Sequence, residues 1–148
     1  MWKNLTKDLA KDVKLLSVNF VAEYSKENIQ LCGHISSQAQ TKITEMFKQL
    51  RCSQDHGEIP RTLGENLSLG YLQPASTSDF HLFKHSRDSF HLNEKLTLRD
   101  CANAIFHLRS AGFSLDDDGK HWLMYITDKN KLVIMDIQRV CDVIITHA

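Results

Sequence analysis

Three apolar residues, Ile59, Leu96 and Leu132, stand 37 and 36 residues apart. After Leu96, apolar side chains recur at +5, +8, +9 and +12 as Cys101, Ala104, Ile105 and Leu108. After Leu132 the same offsets hold Ile137, Val140, Cys141 and Ile144. Steps of three and four mark one face of a helix. A period of this length is the signature of a repeated supersecondary unit. Only six glycines and two prolines interrupt 148 residues, which suits long helices. The spacing predicts an all-α fold of helix–loop–helix units.

The rest of the chain is read in the same way. Leu9, Val13, Leu16, Phe20 and Tyr24 form one stripe over Thr6–Tyr24, and Gly33 marks a stop. Ser37, with Gln40 three residues on, signs a capping box ahead of Ile43, Met46, Phe47 and Leu50. Residues 51–58 break the pattern, and Pro60 opens a further helix over Thr62–Tyr71. Residues 74–78 read as a linker, followed by a short apolar helix from Phe80 to Phe83. Gly112 ends the Leu96 helix, and Ser114 caps the next, with Asp117 at its third position. The expected organisation is an N-terminal helix and an unassigned segment over 1–36, then units at 37–72, 78–110 and 114–148.

On these residues the chain resembles the EF-hand proteins of the calmodulin and myosin light-chain family over residues 40–148. "DHGEI" is similar to the core of such a loop, and "KLTLRDCANAIFHL" to its exit into a helix. "LGYLQPASTSDF" and "AGFSLDDDGKHWL" are similar to the linkers between hands. A calcium loop needs oxygen ligands at positions 1, 3 and 5 and a bidentate Glu at 12. The three loops place Cys52, Gln54, His56 and Leu63; Ser89, His91, Asn93 and Asp100; and Tyr125, Thr127, Lys129 and Asp136 there. None has the acidic set. The resemblance therefore implies a non-catalytic adaptor that works without calcium, metal or cofactor. It implies a protein partner, held by an amphipathic helix such as a myosin heavy-chain neck. Phe80, Phe83, Ile105, Leu108, Trp122 and Met124 would line the groove.

Charge excludes other classes. Eighteen basic and eighteen acidic residues cancel, so no polyanion-binding field exists, and neither nucleic acid nor membrane is expected as a partner. Lys7, Lys11 and Lys14 alternate with Asp8 and Asp12 as a solvated helix face. Cys32, Cys52, Cys101 and Cys141 form no metal spacing, and no signal or membrane run is present, so a cytoplasmic protein is expected. Among eight histidines, His81, His85 and His91 lie near one another, and His56 and His121 fall in turns. His81 and His85 lack a metalloprotease context, and Cys52 beside His56 has no third group to orient it.

Three alternatives stand beside the adaptor: a calcium-binding regulator, a pseudo-enzyme using the histidine-rich loops, and an α+β fragment. The last rests on "KHWLMYITDKNKLVIMDI", where Trp122, Met124 and Ile126 alternate, Asp128–Asn130 is turn-like, and Leu132 and Ile134 alternate again. With "LTLRDCANAIFHLRSAG" it also resembles the catalytic segment of a protein kinase-like lobe, without its HRD, DFG or Gly-rich motifs. The 36-residue period favours the helical reading.

Overall fold

The structure, a computed structural model, describes residues 2–75, 79–85, 90 and 95–148. Two long helices come first, α1 (Trp2–Ser25) and α2 (Ile29–Asp55). Strand β1 (Gly70–Pro74), helix α3 (Asp79–His85) and helix α4 (Leu98–Phe106) follow. Strands β2 (Leu108–Leu115), β3 (His121–Thr127) and β4 (Lys131–Asp136) lead into helix α5 (Ile137–His147). The strands form one antiparallel sheet in the order β1-β4-β3-β2.

The fold is thus mixed α+β, which overturns the all-α EF-hand expectation and with it the likeness to calmodulin and light chains. The α+β alternative describes the last forty residues better. All seven residues of β3 are buried. A short continuous apolar run of this kind is a strand covered on both faces. Leu123 and Tyr125 join Val133 and Met135 in the main core, against α1, α2, α4 and α5. Trp122, Met124 and Ile126 join Leu132 and Ile134 on the opposite face, under Tyr71, Phe83 and Phe90. The turn between β3 and β4 closes through the Asn130 N–H donating to the Thr127 carbonyl at 3.0 Å, with Asn130 at φ 55°. Asparagine is among the few non-glycine residues at ease there.

The 36-residue period has a simpler cause than a repeat. Both α4 and α5 are amphipathic helices, each preceded by a fully buried leucine, Leu96 or Leu132. The offsets +5, +8 and +9 are the helical period seen twice, while the +12 residues differ: Leu108 starts β2 and Ile144 lies in α5. What lies before the two helices differs: Leu132 belongs to β4, and no α-helix follows Ile59 before β1. Asp100 and Asp136, at the twelfth positions of the supposed loops, cap helices. Asp100 completes a capping box with Thr97, and the Asp136 side chain accepts the Arg139 N–H at 3.2 Å.

Other local expectations change for equally local reasons. Ser37 is not a cap, because α2 starts earlier, where the Asn28 side chain accepts the Leu31 N–H. The expected boundary at residues 36/37 lies within α2, and Gly33 is an exposed helical residue. Thr62–Tyr71 is not a helix. Gly64, Asn66 and Ser68 take φ of 100°, 66° and 52°, and each left-handed residue breaks a right-handed helix. This loop is tied down by Arg139, whose Nε and Nη2 donate to the Leu67 carbonyl at 2.8 and 2.6 Å. Ser114 and the aspartates after it form no helix start: Ser114 lies in β2, and Asp116 organises the β2–β3 turn. Asp116 accepts the N–H groups of Asp118 and Lys120 and the indole N–H of Trp122.

Two glycines separate tolerance from necessity. A Cβ at Gly33 meets nothing, whereas one at Gly70 runs into the Ile134 carbonyl of the paired strand. Gly33→Ala is expected to stabilise the fold by roughly 0.5–1 kcal/mol. That raises the melting temperature by about 2–4 °C. Gly70→Ala is expected to cost about 3 kcal/mol or more by pushing β1 off β4. Urea unfolding of both variants checks the pair, and equal effects would contradict this account of β1.

Candidate functional site

The six residues expected to line a partner groove do not form one surface. Phe83, Trp122 and Met124 are buried together on one face of the sheet, with Phe80 packed against that cluster. Ile105 packs against the main core on the other face. Leu108 stands at the start of β2, partly exposed. Five of the six are thus packing residues on the two faces of the sheet, and the helix-binding adaptor loses its groove.

The histidine expectations resolve similarly. His56 Nδ1 lies 2.8 Å from the Cys52 carbonyl oxygen, and its ring stacks on Trp2 at 3.9 Å, so the ring addresses backbone rather than the thiol. The side chains of His81 and His85, and all of His91, lie outside the described residues, as do Ser89 and Asn93. Among the described residues no group of three or more His, Cys, Asp or Glu side chains is placed to hold a metal ion. No described helix is long and apolar enough to cross a membrane. Burial pushes the Cys101 and Cys141 thiols far up, which keeps them protonated and inert.

The structure assembles a different site. α1 packs on α2 and on α5, and α2 leans on α1 and α4 rather than on the sheet. The helical pair therefore overhangs β2 and β3 and leaves a wedge between α2 and the sheet. The wedge is a cavity of about 200 Å³. Leu16, Phe20, Ala39, Ile43, Phe113 and Leu123 supply much of its apolar wall.

A polar group sits on this apolar floor. Ser17 Oγ lies 2.8 Å from His121 Nδ1, and the Gln138 amide Nε2 donates to Ser17 Oγ at 3.1 Å. Ser17 and His121 are both buried, at 3% and 8% exposure. The His121 ring stacks on Phe20 at 5.1 Å and meets the edge of Phe113 at 6.2 Å. Burial among these rings lowers the His121 pKa to about 4, so the imidazole is neutral at pH 7. The direction of the Ser17–His121 bond follows the ring tautomer: with the ring proton on Nε2, the Ser17 hydroxyl donates to Nδ1 while its oxygen accepts from the Gln138 amide. In that tautomer Ser17 keeps one lone pair for a further donor.

Sequence reading missed this trio because it spans α1, β3 and α5. Its partners are 104 and 121 residues apart. One local signal was available: Ser17 stands between Val13, Leu16 and Phe20 on the apolar face of α1. A polar side chain there demands a buried partner.

No family model, no curated protein and no solved structure matches the chain.

The neutral His121 makes stability depend on pH. Its folded pKa lies below the unfolded value of 6.5, so the unfolded chain binds more protons between the two. Stability from this group is complete above pH 6.5, falls as pH drops towards 4, and then levels off. The full loss is roughly 3 kcal/mol. His121→Gln should lose this component. The measurement is the urea midpoint of wild type and variant from pH 7.5 to 4, and parallel curves would contradict the assignment.

Proposed function

We propose that the protein is a non-catalytic binding domain. Its wedge takes a small aromatic molecule, or an aromatic group, carrying one hydrogen-bond donor. The observation that carries this reading is the buried Ser17–His121 pair, backed by the half-buried Gln138, at the floor of a mostly apolar cavity that Ser36 and Gln40 also line. Concave, mostly apolar sites with few placed polar groups are the usual form of small-ligand sites. An apolar cavity of roughly 150 Å³ suffices for benzene, so about 200 Å³ suits a ring with a small substituent. The spare lone pair on Ser17 selects a donor such as a phenol hydroxyl or an indole N–H.

A serine directed at a histidine is also the geometry of a nucleophile and its base. Chemistry favours binding here. General-base efficiency peaks when the base titrates near the working pH, and His121 titrates near 4. No described carboxylate hydrogen-bonds His121 to raise its basicity.

Calorimetric titration with phenol, indole, benzene and toluene tests the reading. Phenol and indole should bind better than their donor-free counterparts by about 3- to 10-fold, the worth of one hydrogen bond. Ser17→Ala should erase that preference while retaining apolar binding. Ala39→Phe should abolish both by filling the wedge. Absence of binding by all four ligands to wild type would refute the proposal.

A further inference from the structure

The sheet has two edges, and they differ. β1 is five residues long and ends in Pro74, a residue that blunts an edge. β2 is eight residues long and contains one charge, Arg109, beside an irregularity in the register between Leu108 and Ser110. Among the described residues nothing pairs with its outer side.

The pairing pattern shows which groups face outward. The Asp116 N–H donates to the Lys120 carbonyl at 3.2 Å, so that pair bonds across the hairpin. Antiparallel ladders alternate, which makes Ser114/Trp122 and Gly112/Met124 the next bonded pairs. The N–H and C=O groups of Ala111, Phe113 and Leu115 then point away from β3. Two aromatic side chains on this side of the molecule are also open to water: Phe113 is 36% exposed and Tyr24 50%, in edge contact at 5.8 Å.

We propose that β2 pairs antiparallel with β2 of a second copy of this chain, joining two four-stranded sheets across a two-fold axis. One register uses every outward group. Phe113 faces Phe113 of the second copy, and Ala111 faces Leu115 in both directions. That register decides the occupant through charge. It brings Arg109, at the basic end of β2, level with Asp117 of the second copy, at the acidic end. Lys129 and Lys131 outnumber Asp128 at the basic end, and Asp116 and Asp118 outnumber Lys120 at the acidic one. The two-fold axis repeats the match, so a self-complementary contact forms twice. Cross-strand opposite charges favour this pairing, and the parallel arrangement would set like ends together.

The test is sedimentation velocity of the full chain across a dilution series, with circular dichroism to verify that each variant folds. Wild type should show a monomer–dimer equilibrium. Arg109→Asp and Asp117→Arg should each raise the dissociation constant more than about ten-fold, because like charges then face each other. The double variant Arg109→Asp/Asp117→Arg should return to near the wild-type value. A wild type that stays monomeric throughout overturns the proposal. So do single variants that dimerise normally, or a double variant no better than the singles.

Discussion

β3 is covered on both faces, and the positions of the other elements follow from that double burial. Its two sets of alternating side chains need two separate covers. Helices α4 and α5 supply one directly, and side chains of α1 and α2 complete the core around Leu123 and Tyr125. Tyr71, Phe83 and Phe90 supply the other, as an aromatic cluster around Trp122 with ring centroids 5.3–5.7 Å apart. α4 and α5 pack directly on the sheet, whereas α1 and α2 pack on them and on each other and so stand off it. The wedge is the space that this displacement leaves.

Helices were legible in the sequence along most of their one-sided buried faces, except in the first turns of α2, where Cys32 and Ile35 are buried but the stripe was not read. The stripe of α1 and the apolar faces of α2, α4 and α5 follow the helical period, and burial falls on the same residues: Leu9, Val13 and Phe20, then Met46, Phe47 and Leu50. Strands were not legible wherever both faces are buried. "HWLMYIT" has no polar side to reveal a two-residue period, and Trp122, Leu123 and Ile126 also satisfy a helical template. The turn at Asp128–Asn130 was the stronger signal, since a left-handed asparagine between two apolar runs belongs to a hairpin. The apparent repeat misled because offset matching scores amphipathicity, and two unrelated helices share it.

The candidate site was hidden for a different reason. Ser17, His121 and Gln138 are ordinary in their own neighbourhoods. Their meaning arises from burial, which turns a serine on an apolar stripe and a histidine at a strand start into mutual requirements. Each, if alone, leaves an unsatisfied polar group in a low-dielectric interior. Together they form a neutral hydrogen-bonded network. The surface expected to bind a partner shows the converse. Trp122, Met124 and Phe83 are the large apolar residues that draw attention in a sequence, and size is what commits them to the core.

Strand geometry allows β2 to serve the wedge and the sheet edge at once. Along a strand, side chains stand perpendicular to the sheet while peptide groups lie within it. Ala111 and Phe113 therefore turn their side chains towards the wedge and their N–H and C=O groups towards the open edge. Occupation of the wedge draws on the first set, and pairing with a second copy draws on the second. Phe113 is where they meet. Its ring closes one side of the cavity and touches His121, while its exposed part lies at the two-fold axis. A second copy seated on β2 would shield that ring from water without displacing it.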